Sequence, residues 1–367
     1  MANSQAAAKP FTFDYKRVNE ASIRIDIYPP AQIHSSGKVP ALVYFHGGGL
    51  TVGNRNSWFP TWLRDRVLAS GFAFCSAEHR LIPPSTGHDI VEDMKDLFRF
   101  LENDVNSLLA AKTHENVGFG IDFERIAVAG SSAGGLCAYL AAMHATPKPV
   151  AIVALYAMGG NFLTPQQLVP KTEVFFRGRE LLDPKDYTEF LWPASQQLAV
   201  TADSALAYHD KSYKIPGFPA NPRMLLTRLY FQQGIFLDYY TGDHQPSLSD
   251  KLRPALDTVS STNELKHLIP ERHISLFPQF NISPNWPPTI LVHGELDSAV
   301  QVNESKNLYR LLKTAGVDAT LRIMDGLEHS FDYVPDALEK FGQKGGIFDE
   351  IETFIHYRMK DVVTHVR

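Results

Sequence analysis

The chain has 367 residues, 44% of them hydrophobic, and a formal net charge of −5. That length can bury a large core, as one big domain or as a domain carrying an inserted subdomain. The negative balance excludes nucleic acid and anionic membranes as main partners, and two cysteines, Cys75 and Cys137, exclude a disulfide framework.

The N-terminus, Met1 to Pro10, lacks the apolar run of a signal peptide, and no apolar stretch approaches the about 20 residues of a membrane helix. A cytoplasmic protein without a membrane span is expected. Residues 1–20 read as a tail, disordered over 2–10, with Phe11 to Tyr15 docking on a cap further along. Ile23, Ile25 and Ile27 alternate with Arg24 and Asp26, which predicts a half-exposed edge strand. Pro40 to Phe45 then reads as a buried strand, and His46-Gly47-Gly48-Gly49 follows it directly. Glycine is the default wherever φ is positive, so this run could be only a tight turn. Three glycines directly after a strand exceed what a turn needs, and they suit a loop that aims backbone N–H groups at a developing oxyanion.

Phe72 to Ala77 reads as the next strand and Asp89 to Leu101 as an amphipathic helix with Ile90, Met94, Leu97, Phe98 and Leu101 on one face. Arg125 to Ala129 is a strand-type run, and Leu136 to Met143 is rich in helix formers. Between them lies Gly130-Ser131-Ser132-Ala133-Gly134, which fits the G-x-S-x-G elbow that exposes a serine at a strand-to-helix turn. Alone it could be a flexible turn. With the glycine loop upstream, Ser132 becomes a candidate nucleophile, and the N–H groups of Gly47, Gly48 and Ala133 become candidate oxyanion donors.

After a strand at Val150 to Tyr156 the alternation stops. Residues 159–287 read as an inserted, mainly helical cap, rich in aromatics that include Phe176, Tyr208, Phe218, Tyr230, Phe231 and Tyr240. Most of these must form the insert's own core, and some should face the serine. Pro288 to Val292 is a strand candidate that ends in His293-Gly294-Glu295-Leu296-Asp297, and Ala319 to Met324 is another that leads to Glu328-His329. Two parallel strands joined by one helix put the loops after them side by side. A serine hydroxyl needs a histidine base, and that base needs an acid to fix its tautomer. Asp297 and His329 follow the serine in the required order. Glu295 is a competitor for the acid. Glu328 reads as a solvated loop carboxylate, His293 as a turn former, His46 as a support of the glycine loop, and His209, His244, His267 and His273 as surface or interface residues.

These motifs, with Glu78-His79-Arg80-Leu81-Ile82-Pro83 between them and Val300 after Asp297, resemble the hormone-sensitive-lipase-like, or α/β-hydrolase-3, branch of the α/β-hydrolases. The resemblance implies an α/β-hydrolase fold: a mostly parallel central sheet with helices on both faces, a catalytic core of residues 21–158 and 288–367, and the cap at 159–287. It also implies a serine carboxylesterase with Ser132, Asp297 and His329 as its triad and Gly47, Gly48 and Ala133 as its oxyanion hole. No metal or organic cofactor is called for. The expected partner is a small or medium-sized hydrophobic or aromatic ester, and the oligomeric state stays open, a homodimer included. Two departures stand out: Ser131 occupies a position usually acidic, and Glu78 to Pro84 differs from the usual Asp-Tyr-Arg-Leu-Ala-Pro-Glu. Arg80 and Asp93 are expected to pin loops. An amidase or peptidase of prolyl-oligopeptidase type, an acyl-transferring or C–C-cleaving biosynthetic enzyme, and a non-catalytic binding protein on the same scaffold remain alternatives.

Overall fold

A computed structural model of the protein describes residues 9–32, 37–112, 118–259 and 262–360. The disorder expected over residues 2–8 therefore lies outside the described residues. Eight strands form one sheet: β1 (Phe11–Val18), β2 (Ala21–Tyr28), β3 (Lys38–Phe45), β4 (Ala73–Ala77), β5 (Gly120–Ser131), β6 (Ile152–Leu155), β7 (Thr289–Gly294) and β8 (Ala319–Met324). Their order is β1-β2-β4-β3-β5-β6-β7-β8. The first two pairings, β1 with β2 and β2 with β4, are antiparallel. Every other pairing is parallel, which sends the loops after β3, β5, β7 and β8 out of the same edge of the sheet.

Side-chain alternation builds a core on each face. Val43 and Phe45 of β3, with Val128 of β5, pack beneath Met94, Leu97 and Leu136. Leu42 and Tyr44, with Ala127 and Ala129, face Trp62, Leu63, Ile351 and Ile355 on the other side. The helix over Gly87–Asn103 is the amphipathic one predicted, opened by a capping box between Thr86 and Asp89. Fold class and sheet architecture are those the sequence motifs imply.

The N-terminal expectation needs correction. Phe11–Val18 is neither a tail nor a segment docked on a cap, because it is the edge strand of the sheet, paired with β2. Phe13 and Tyr15 are buried, and the Tyr15 hydroxyl donates to the Glu78 carbonyl oxygen at 2.6 Å. The predicted edge strand, β2, is consequently an inner one. Its Asp26 is only 3% exposed, held by the Thr12 hydroxyl at 2.6 Å and by Arg55 Nε at 2.9 Å. Arg80 and Asp93 do pin loops. Arg80 Nε lies 2.9 Å from the Asp93 carboxylate, which also takes Lys16 Nζ at 2.9 Å.

Residues 159–287 leave the sheet after β6 and return at β7. Their regular structure is helical but short, and among the described residues the longest helix is Arg223–Gln233. Prolines recur throughout the segment, several of them in the first turn of its short helices. Its interior is aromatic: Phe162 lies 5.1 Å from Tyr240, and Tyr230 stacks on Tyr239 at 3.9 Å. A buried acid ties its start to the core. Glu304, on the helix Val302–Thr314, accepts from the Gly159 N–H at 2.6 Å and from Gln167 Nε2 at 3.3 Å.

Burial pushes the Glu304 carboxyl up to about 7, against hydrogen bonds that favour its charged form. A folded-state pKa above the unfolded one means stability that is full below the unfolded value and lost as pH rises through the folded one. Wild type should therefore lose roughly 3 kcal/mol relative to Glu304→Gln between pH 4.5 and pH 8. Urea unfolding at a series of pH values checks this, and parallel profiles for the two proteins would contradict it.

Candidate active site

The elbow forms where β5 meets the helix Ala133–His144, with Ser132 between them at φ 55° and ψ −122°. A non-glycine residue there is strained, and its neighbours hold it in place. The Ser132 N–H donates to the Leu155 carbonyl at 2.9 Å, and its own carbonyl accepts from Met158 at 3.0 Å. Helix and strand must also touch closely, since a Cβ at Gly134 would lie 2.0 Å from the Phe45 carbonyl oxygen. Ala133 is buried as the first residue of the helix, where the exposed N–H groups favour negative charge.

The glycine loop lies against the elbow. A Cβ at Gly47 would be 3.4 Å from the Cβ of Ser132, and Gly48, at φ 105°, would place one 2.2 Å from the Val52 carbonyl oxygen. Only glycine fits at that second position. Beneath the loop, His46 Nδ1 donates to the Gly47 carbonyl at 2.7 Å, and its ring stacks on His79 at 4.6 Å. Burial, with the neighbouring His79, pushes the His46 imidazole down to about 3. It is a neutral support.

Asp297 lies just past β7 and His329 past β8. His329 Nδ1 is 2.6 Å from Asp297 Oδ2. The other carboxylate oxygen, Oδ1, accepts from the N–H groups of Ala299 at 2.9 Å and Val300 at 2.8 Å. A further donor was not foreseen. His293 Nε2 is 3.1 Å from Asp297 Oδ2 and 2.8 Å from the Val300 carbonyl. A carbonyl only accepts, so this nitrogen carries the proton, and Nδ1 accepts from the Ser305 hydroxyl at 2.7 Å. Burial alone would raise the Asp297 pKa, but His329 and the His293 hydrogen bond outweigh it and hold the carboxyl well below the usual range. With Asp297 ionised, His329 Nδ1 must be the donor. In the neutral ring that leaves Nε2 free to accept a proton.

Glu328 joins the two loops, accepting from Ser298 N at 2.9 Å and His329 N at 2.6 Å. It is 40% exposed and fixes the loop geometry as well as meeting solvent. Glu295 is exposed and accepts from Gly326 N at 3.0 Å, away from His329. Ser131 bonds Tyr44 Oη at 2.7 Å. Tyr156 presents its edge to the His329 ring at 4.6 Å and donates to the buried Asp332 at 2.6 Å.

A cavity of about 300 Å³ brings together Ser132, His329, Gly47 and Gly48. Among the described residues seven non-glycines have positive φ, and five of them line this cavity: Trp58, Ser132, Tyr156, Arg177 and Ser330. Backbone strain is concentrated at the site. Phe176, Tyr208, Phe218 and Phe231 of the inserted segment supply part of its wall, whereas Tyr230 and Tyr240 are buried in the segment's own core. His209, His244, His267 and His273 lie outside the lining. His273 is not at the surface, because it is buried between His88 Nε2 at 2.8 Å and Asp243 at 2.9 Å. Among the described residues no three His, Cys, Asp or Glu side chains group as a metal site would require, and no helix is long and apolar enough to cross a membrane.

Known proteins resemble this chain in sequence and in fold. The profile of a family described by its α/β-hydrolase fold matches residues 42–219, and that of the prolyl oligopeptidase family matches residues 258–342. A probable carboxylesterase M8 from Phoma sp. is 31% identical over 326 residues, 87% of this chain and 88% of that protein. The non-reducing polyketide synthase trt4 of Aspergillus terreus is 25% identical over 96% of this chain, which spans only 14% of that protein. Among solved structures, an α/β-hydrolase superfamily protein from Enterococcus faecalis has a TM-score of 0.58 at 16% identity, covering 96% of this chain and 100% of its own. A butyrate-bound esterase from Thermogutta terrifontis has a TM-score of 0.55 at 18% identity, covering 95% and 93%. These two show a shared fold. The sequence match to the carboxylesterase goes further and, with the motifs and the sheet order, establishes that this chain belongs to the α/β-hydrolase fold family, in its hormone-sensitive-lipase-like branch.

Proposed function

We propose that the protein is a serine hydrolase of carboxylic esters, working through an acyl-enzyme. The observation that carries this reading is the 2.6 Å contact of Asp297 with His329, which lines one cavity with the strained Ser132 and the glycine loop. The Ser132 hydroxyl attacks the ester carbonyl while His329 Nε2 takes its proton and Asp297 stabilises the resulting imidazolium. Amides of Gly47, Gly48 and Ala133 hold the tetrahedral oxyanion. His329 then protonates the leaving alcohol and activates water to release the acid.

Residues 159–287 act in this reading as a cap that excludes water and shapes the pocket. Its aromatic wall suits a small or medium-sized hydrophobic or aromatic ester. Amide hydrolysis is the second reading, favoured by the prolyl oligopeptidase match over residues 258–342, the stretch that carries both Asp297 and His329.

A fluorophosphonate probe should label wild type and spare Ser132→Ala, and nitrophenyl ester turnover should fall by roughly 10⁴-fold or more in that variant. Retained label would remove Ser132 from the mechanism, and aminoacyl anilide turnover above ester turnover would promote the amidase reading. Gly48→Ala should lower kcat about 10²- to 10³-fold with a smaller change in KM, since its Cβ displaces an oxyanion donor. Wild-type kcat in that variant would rule the Gly48 amide out.

A further inference from the structure

Ester hydrolysis by Ser132, Asp297 and His329 makes no demand for positive charge in the pocket, yet three arginines of the inserted segment line it. They are Arg177, Arg179 and Arg228, and no Asp, Glu or Lys shares the wall with them. Cations around a low-dielectric cavity whose wall holds no carboxylate focus a positive potential into it.

Arg228 carries the argument. It is 8% exposed, and its Nε has no hydrogen-bond partner among the described residues. Burial lowers its pKa, Tyr187 and Glu180 offset this only in part, and Arg179 adds repulsion. A guanidinium stays charged even so. Arg223, five residues earlier on the same helix and equally buried at 9%, makes the contrast. Its donors reach the carbonyls of Thr51 at 3.2 Å, Ile82 at 3.3 Å and Pro83 at 2.6 Å. One buried arginine is filled by backbone acceptors, and the other lines the cavity with its Nε unpartnered among the described residues. A buried cation left open is costly unless something completes it.

The other two arginines are presented by a tight turn. Arg177 and Gly178 take φ values of 50° and 64°, and the Arg179 N–H closes the turn on the Phe176 carbonyl at 2.9 Å. The Arg177 N–H donates to Ser298 Oγ at 2.9 Å, which ties the turn to the loop carrying Asp297. Arg177 Nε is 3.7 Å from Glu328, and Arg179 and Arg228 form no ion pair among the described residues. Arg228 also follows Thr227, whose hydroxyl donates to the Gly49 carbonyl at 3.0 Å. Arg228 is thus rooted beside the glycine loop.

We propose that Arg228, assisted by Arg179 and Arg177 at the rim, binds a carboxylate on the substrate, so that the preferred esters are hydrophobic monoesters that keep a free acid group. This rests on the serine-esterase reading of the same cavity. Arg228 is a specificity-determining residue here, and the forked donors of a guanidinium match a carboxylate's two oxygens.

Ser132→Ala protein, which lacks the nucleophile, is titrated by calorimetry with monophenyl glutarate and with its neutral counterpart, methyl phenyl glutarate. The free acid should bind at least about tenfold tighter. That ratio should collapse towards one in Ser132→Ala/Arg228→Gln and erode partway in Ser132→Ala/Arg179→Gln, where the change is on the exposed turn. Equal affinities, or binding of neither ester, would overturn the proposal before any arginine is changed. A ratio that survives Arg228→Gln would also overturn it. Fluorophosphonate labelling of wild type reports on Ser132 alone, so failure of the anion site and failure of the esterase reading remain distinguishable.

Discussion

A carboxylate stays charged in a protein interior only where donors surround it, and Asp297 is surrounded. Two backbone N–H groups hold one oxygen, while His293 and His329 converge on the other. Much of the site's geometry follows from that solution. The backbone donors exist because the chain turns back over Ala299 and Val300 immediately after the aspartate. His293 reaches it because the last residues of β7 are folded under the same turn. His329 reaches it because β8 lies parallel to β7 in register, with His293 beside Ile323 and Gly294 beside Met324. Glu328 then fixes the distance between the two loops through Ser298 and the His329 amide.

A second buried acid accompanies Ser131, the position at which the family resemblance implied an acidic residue. Asp332 sits beneath the site, taking the Tyr156 hydroxyl at 2.6 Å and Trp62 Nε1 at 3.1 Å. Burial raises its pKa, and those two donors with His329 favour the charged form. Ser131 meets the same layer through Tyr44. An acid at 131 would add a second carboxylate close to this one, where like charges repel and both are poorly solvated. A hydroxyl gives and takes hydrogen bonds without that repulsion. The polar surroundings of the elbow are thus made of tyrosines and one buried carboxylate, Asp332.

What could be read in the sequence was whatever local chemistry demands at fixed spacing. A sharp strand-to-helix turn needs small residues around Ser132, and Gly48 must be glycine, so both regions announce themselves. Asp297 and His329 were legible because each follows a strand-like run. Other features depend on distant partners. His293 reads as a turn residue until β7 and its loop are folded over Asp297. Glu304 lies on an amphipathic helix where an acid normally faces water, and donors far back in the chain, the Gly159 N–H and the Gln167 side chain, hold it inside. His273 is buried by His88 and Asp243, neither of them near it in sequence. The strand Phe11–Val18 is a different case, since Phe11, Phe13 and Tyr15 alternate with Thr12, Asp14 and Lys16, and the period-two signal was present but short.

The helix Arg223–Gln233 shows why substrate selection and the glycine loop belong to one mechanical unit. Met224, Thr227, Arg228 and Phe231 recur at helical spacing and face the cavity together. Arg223 locks the start of the helix onto backbone carbonyls at Thr51, Ile82 and Pro83, and Thr227 bonds both the Gly49 carbonyl and the Thr51 hydroxyl, each at 3.0 Å. A displacement of the helix backbone carries all of these side chains with it. Shifting it to admit a different ligand at Arg228 would pull on Gly49, and through Gly49 on the neighbouring amides of Gly47 and Gly48. The pocket wall at Arg228 and the glycine loop are therefore joined through a single turn of helix.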